Sequence, residues 1–281
     1  MTTLLVHDVD TERRFAFGLN WARFLSDLDE SRIRQAERSL CEMLDTSDLT
    51  GRTFLDIGSG SGLFSLAARR LGATVRSIDF DPQSVACTRE LRRRYFPEDT
   101  DWRIDQGSVL DAKFVAALGQ WDIVYSWGVL HHTGSMWVAL GNAAACVKDD
   151  GRLFIAIYND QGRASAVWLK VKQAYNRLPR GWRWLVLVPA SIRLWGPGAI
   201  RDLLTGKPFH TWRNYARRSL RGMSPWRDTV DWVGGLPFEV AKPEQIVSFY
   251  RQRGYELHRM ITCAGRHGCN EFVFRKAGDT T

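Results

Sequence analysis

Apolar residues along this chain recur in two alternating rhythms. Arg52 to Ile57 rises into an apolar run of strand length, and Gly58, Gly60 and Gly62 follow. Leu63, Phe64, Leu66, Ala67 and Ala68 then recur at helical spacing until Gly72, which predicts strand, glycine turn and helix. The succession repeats. Thr74 to Asp79 reads as a second strand, and Asp81-Pro82 as an N-cap with proline at the first helical position. A helix over Pro82 to Tyr95 follows, with Val85, Ala86 and Leu91 inward. Asp101 to Ile104 predicts a third strand and Trp121 to Trp127 a fourth. Ser135 is placed to cap a helix through Val147, and Gly151 turns into a fifth strand, Arg152 to Tyr158. This alternation predicts an α/β fold, a doubly wound, mostly parallel sheet with helices on both faces. Ligands in such sheets bind beyond the carboxyl ends of the strands. The ends at Gly58, Asp79, Gly107, Trp127 and Tyr158 are therefore expected to converge.

Two segments depart from this rhythm. Residues 1–50 form a helical lead-in. Phe15, Phe17, Trp21, Phe24, Leu25 and Leu28 recur at helical intervals, and Glu30 to Leu44 sets Ile33, Ala36, Leu40 and Met43 on one face. Such a segment can cover a ligand cleft, with Asn20 and Trp21 reaching in, or simply pack on the sheet. After Tyr158 the pattern breaks until Pro243, where a helix to Arg253 and strands Glu256 to Thr262 and Glu271 to Arg275 resume it. The core is thus 51–160 with 241–281, and 161–240 is an insertion at the ligand edge. Helices are predicted within the insertion at Ser165 to Arg177, at Trp182 to Leu194 with a kink at Pro189, and at Ala199 to Leu204.

Charge changes the picture for the insertion alone. Of the net +8, residues 161–240 hold 14 Lys/Arg against 4 Asp/Glu and 7 of the 12 tryptophans. The remaining residues hold 25 basic against 27 acidic side chains. The basicity therefore belongs to that segment's partner. No apolar run reaches the ~20 residues that a membrane helix needs, and Met1 to Arg14, polar and acidic, reads as no signal peptide. Five scattered cysteines without a Cys-x-x-Cys suit reduced thiols in a cytoplasmic protein and argue against structural zinc.

The glycine turn narrows the chemistry. Its pattern is Asp56-x-Gly58-x-Gly60-x-Gly62, with Ser59 and Ser61 between. Leu63 stands where a dinucleotide fingerprint has its third glycine, and no Gly-Lys-Ser/Thr follows, which excludes a P-loop. An acid, Asp79, closes the second strand 23 positions after Asp56, where nucleoside-binding folds hold the ribose hydroxyls. At these residues, over about Gly51 to Tyr158 and more weakly after Pro243, the chain resembles the class I S-adenosylmethionine-dependent methyltransferases. The resemblance implies a Rossmann-like sheet of seven strands, the last antiparallel. It also implies S-adenosylmethionine contacts through Asp56, Gly58, Ser59, Gly60 and Gly62 on the methionine part, Asp79 on the ribose and Phe80 on the adenine. Gly107, Ser108 and Val109 would meet the adenine edge, with Trp127 and Asn20 nearby. Ser108 stands where the commoner pattern has an acid, leaving Asp105 or a backbone carbonyl for the adenine amine. Leu130-His131-His132 also recurs in the small-molecule branch of this superfamily.

Transfer of an activated methyl needs alignment first, and a general base only where the acceptor holds its proton tightly. His132 is the candidate base, with His131 beside it toward the substrate; capping or a backbone hydrogen bond is the competing role. Adjacent histidines without a third ligand do not make a metal site. Tyr158 and Asn159, at the end of the fifth strand, are candidate acceptor contacts, as are Trp226 and Arg227; Glu239 is a second candidate base. These features imply a methyltransferase acting on O or N of a small polar or lipid-linked metabolite. Transfer or cyclisation of the aminocarboxypropyl arm, or an inactive cofactor-binding module, are the alternatives. The basic, tryptophan-rich insertion reads as a lid over a small anionic or sugar-like molecule or, through residues 180–204, as a peripheral membrane contact. No nucleic-acid module accompanies it.

Overall fold

The computed structural model describes Leu25, residues 28–215 and residues 225–278. Asn20 and Trp21 lie outside the described residues. A seven-stranded sheet in the order β3-β2-β1-β4-β5-β7-β6 forms the centre. Its strands are β1 (Thr53–Ile57), β2 (Thr74–Asp79), β3 (Trp102–Gln106), β4 (Trp121–Trp127), β5 (Val147–Tyr158), β6 (Tyr255–Ile261) and β7 (Cys269–Lys276). The first five pair in parallel, and β7 runs antiparallel between β5 and β6. The order reverses between β1 and β4, which opens a crevice at their carboxyl ends.

Both faces of the sheet are covered. On one, α1 (Glu30–Leu44), α2 (Leu63–Arg70) and α3 (Pro82–Tyr95) bury Leu40, Leu66 and Leu91 with Phe54 and Trp102. On the other, α4 (Ala112–Leu118), α5 (Met136–Ala145) and α10 (Pro243–Arg251) close over Leu55, Val124, Leu153 and Phe272. Strands buried on both faces explain why β1, β4 and β5 read as continuous apolar runs. The first helix, α1, packs on the sheet against α2 and takes no part in the crevice. For its residues, the packing role holds rather than the covering one.

Three local expectations differ from the structure. α4 carried no signal in the apolar pattern; Asp111 caps it by accepting from the Lys113 and Phe114 N–H groups. α5 ends at Ala145, and β5 begins at Val147 because Val147 already pairs with Trp121 across an irregularity in the ladder. Ser135 does not cap α5 with its side chain.

The insertion contributes α6 (Arg163–Arg177), α7 (Trp184–Leu204), α8 (His210–Arg213) and α9 (Pro225–Gly234). The stretches expected separately at 182–194 and 199–204 form one helix that carries Pro189 and Pro197 internally. A core of its own, Trp168, Tyr175, Leu187, Ala190 and Val233, holds α6, α7 and α9 together.

Candidate active site

A single cavity of about 1130 Å³ runs from the glycine turn, past the ends of β2 and β4, to the inner wall of the insertion. It exceeds the roughly 300–1,000 Å³ of a one-ligand pocket, so it has room for a nucleoside cofactor beside an acceptor.

The inner end is built by the first two strands. The Gly58 and Ser59 N–H groups donate to the Ile78 carbonyl at 2.8 and 3.1 Å, folding the turn back on β2. Gly58 has φ 81°, and a Cβ there would lie 2.4 Å from Val129 Cγ1. Glycine is therefore required for both dihedral and space. The Asp79 carboxylate accepts from the Gly60 N–H and the Asp81 N–H, both at 2.9 Å. Each oxygen thus keeps a lone pair for a diol. Burial pushes the Asp79 pKa up to about 6, against the pull of those backbone donors. Asp56 is buried beneath the turn, its carboxyl bonded to the Ser65 hydroxyl. Ser65 accepts from Ser77 at 2.7 Å, and Ser77 from the Trp102 indole at 2.8 Å. Burial raises the Asp56 pKa to about 7.

Of the residues expected at the cofactor, Asp56, Gly58, Ser59, Gly60, Asp79, Phe80, Gly107, Ser108, Val109 and Trp127 line the cavity. Gly62 does not: with φ 82° it starts α2, and a Cβ would strike Thr88. Ser108 is occupied in a turn, its hydroxyl accepting from the Leu110 N–H at 3.1 Å. Asp105 is paired with Arg76 at 2.8 Å and stands off the cavity, which leaves backbone for the adenine amine. A glycine-lined turn, a two-oxygen acid and the apolar Phe80, Val109 and Leu110 fit the methionine, ribose and adenine parts of S-adenosylmethionine.

Beyond Trp127 the cavity meets the two histidines. They form one 3₁₀ turn, Leu130–His132. His132 lines the cavity, and its Nδ1 lies 2.6 Å from the Pro237 carbonyl. A carbonyl only accepts, so Nδ1 carries the proton and Nε2 the lone pair. His131 is fully buried instead, 3.9 Å from the Tyr158 ring centroid, and supports Tyr158 from behind. Tyr158 lines the cavity, also touching His132, Trp232 and Phe238.

Four other expectations are corrected. Glu239 does not line the cavity; its carboxylate accepts from the Met136 N–H at 3.1 Å and caps α5 in place of Ser135. Its own N–H donates to the His131 carbonyl at 3.0 Å, so it braces the histidine turn. Burial raises its pKa, and the donors at the helix start oppose that shift. Asn159 accepts from Asn270 at 3.0 Å and ties β5 to the last hairpin, off the cavity. Trp226 is exposed, and neither it nor Arg227 lines the cavity; Asp228, Thr229, Asp231 and Trp232 of the same helix take the wall they were expected to form. Sequence reasoning also missed Arg193, Leu194 and Trp195 of α7. Their signal was the helix itself, which has one cavity-facing and one exposed side.

Behind that wall lies Lys172, 0% exposed. Its ammonium donates to the Trp232 carbonyl and sits 4.6 Å from the Trp232 and Phe238 ring centroids. Burial pulls its pKa down to about 7, and Asp231 opposes the shift. In the unfolded chain a lysine holds its proton to about pH 10.4. Between these values the unfolded chain binds more protons, so stability climbs as pH rises. Lys172→Met is expected to flatten that climb and, because it leaves buried Asp231 and the Trp232 carbonyl without the ammonium, to destabilise the fold by about 3–5 kcal/mol. Chemical denaturation at several pH values checks it, and an unchanged pH slope refutes it.

A family model described as a methyltransferase domain matches residues 28–210. The chain belongs to that family and is an S-adenosylmethionine-dependent methyltransferase of class I. It is 31% identical over 179 residues to a ubiquinone biosynthesis O-methyltransferase of Xanthomonas oryzae pv. oryzae (strain PXO99A), covering 62% of this chain and 73% of the relative. The protein of that name from Xanthomonas axonopodis pv. citri (strain 306) is 30% identical over 176 residues, 61% of this chain and 72% of the relative. Among solved structures, magnesium protoporphyrin IX methyltransferase from Synechocystis PCC 6803 with bound S-adenosylhomocysteine shares the fold. Its TM-score is 0.55 at 12% identity, over 92% of this chain and 94% of that one. PKMT2 from Rickettsia typhi in complex with S-adenosylhomocysteine has a TM-score of 0.56 at 10% identity, over 88% and 53%.

Proposed function

We propose that this enzyme methylates an oxygen of a small aromatic acceptor, with His132 as general base. Bound at the inner end, the cofactor supplies a methyl activated by its sulfonium. Gly58, Ser59 and Gly60 give backbone to the methionine part, Asp79 accepts from the ribose hydroxyls, and Phe80 and Val109 flank the adenine. Tyr158, Trp127 and Trp232 present ring faces and edges to a planar acceptor. His132 Nε2 takes the acceptor's hydroxyl proton as the new O–C bond forms and the S–C bond breaks. The observation that carries this reading is the Pro237 carbonyl at His132 Nδ1, which fixes a tautomer that leaves Nε2 basic on a residue that lines the cavity. The O-methyltransferase relatives support oxygen as the acceptor atom. Catechol with S-adenosylmethionine tests it by mass spectrometry: methylated catechol and S-adenosylhomocysteine are expected. Methylthioadenosine would indicate transfer or cyclisation of the aminocarboxypropyl arm instead.

A second reading concerns where the acceptor is met. No helix among the described residues is long and apolar enough to cross a membrane. The outer side of α7 nevertheless exposes Ile192 (66%), Ile200 (60%) and Leu203 (70%), with Trp182 and Trp184 at its start. Arg180, Arg183 and Arg201 flank these residues. We propose that this ridge lies on an anionic bilayer surface on the cytoplasmic side, with Arg193 to Trp195 of the same helix on the cavity wall behind it. Flotation with phosphatidylcholine–phosphatidylglycerol vesicles is expected. It should be lost in Ile192→Glu/Ile200→Glu/Leu203→Glu. Wild type that stays at the bottom of the gradient refutes the contact.

A further inference from the structure

Two hydrogen-bond donors on the cavity wall have no use in the mechanism above. The Trp232 indole N–H and His267 Nδ1 are both buried and without a hydrogen-bond partner among the described residues, and both residues line the cavity. The Trp168 indole N–H donates to His267 Nε2 at 3.2 Å. Indole nitrogen only donates, so Nε2 holds the lone pair and Nδ1 the proton. Burial and the nearby Arg193 push the His267 pKa below its ordinary value, which favours the neutral ring. The Trp232 and His267 ring centroids are 5.6 Å apart. Orphaned buried donors are rare in folded proteins. Both residues line the cavity, so a polar group bound at its outer end lies beside them.

Positive charge flanks them. Arg193 of α7 and Arg266 of the β6–β7 hairpin line the same cavity, and neither forms an ion pair among the described residues. The nearby acids are engaged: Asp228 accepts from the Tyr215 hydroxyl, and Asp231 faces the Lys172 ammonium. The outer end of the cavity therefore combines neutral N–H donors with guanidinium forks, a donor set that suits carboxylate or phosphate oxygens.

We propose that Trp232, His267, Arg193 and Arg266 form a subsite for an anionic oxygen group carried by the acceptor, remote from the oxygen that is methylated. This rests on the acceptor reading above and specifies its substrate class: an aromatic hydroxy compound with a carboxylate or phosphate substituent.

Isothermal titration of the full chain with S-adenosylhomocysteine present tests it. The probes are catechol and protocatechuate, which is catechol with a carboxylate added. Wild type is expected to bind protocatechuate at least ~tenfold more tightly. That preference is expected to shrink in Trp232→Phe, which keeps a ring and loses the N–H, and to vanish in Arg193→Gln/Arg266→Gln. Equal affinities in wild type, or an undiminished preference in the arginine double variant, overturn the proposal. Unchanged S-adenosylhomocysteine binding reports an intact fold, and the arginine variant decides the outcome should Trp232→Phe not fold. Methyl transfer is scored separately. Preference without methylation keeps the subsite and sinks the phenol reading; methylation of both probes without preference does the reverse.

Discussion

Asp79→Ala is expected to weaken S-adenosylmethionine binding by roughly 10²- to 10⁴-fold while leaving the protein folded. Two hydrogen bonds from a ribose diol to a carboxylate are worth about 1.5–3 kcal/mol each, and 1.4 kcal/mol is a factor of ten. The variant also frees the Gly60 N–H, which Asp79 holds at 2.9 Å, and so loosens the turn that faces the methionine part. The fold does not depend on this carboxylate, because β2 is fixed by its ladders to β1 and β3. Calorimetry reads the affinity, and an unchanged value would remove Asp79 from the ribose. The wild-type pH dependence follows from the same group. Its ionised form accepts both hydroxyls, and burial places its pKa at about 6. Affinity is therefore full above that value and declines as pH falls through it, while Asp79→Ala lacks this decline.

His132→Ala is expected to lower turnover by ~10²- to 10⁴-fold, the range for losing a positioned general base, with cofactor affinity unchanged. His132 does not belong to the glycine turn or to Asp79, so the nucleoside end should not sense its loss. Turnover at the wild-type level would leave His132 as a support for the 237–239 segment alone.

The inner half of the site was legible in the sequence because its constraints are local. Gly58 and Gly60 need dihedrals that only glycine takes freely, and Asp79 falls at a strand end fixed by the spacing of β1 and β2. Both leave a mark within a short stretch of chain. The outer half depends on contacts across long separations. Glu239 lies 103 positions from the Met136 N–H it caps, and no periodicity connects the two. Trp226 and Arg227 were singled out for composition, yet the turn of α9 brings Asp231 and Trp232 to the cavity in their place. Arg193 was hidden in a helix whose apolar bulk suggested an outward role, because residue type does not reveal which side of an insertion faces a ligand.

The brace at Glu239 bears on how this scaffold can diversify. The insertion returns to the sheet through Pro237 and Glu239, and those two residues fix the His132 tautomer and the start of α5. Exchanging the acceptor-facing segment for that of a related enzyme would therefore carry part of the reaction centre along with the specificity elements. A chimera joined before residue 237 would keep the recipient's proton acceptor in register, whereas one joined after 239 would import a foreign latch against the histidine turn.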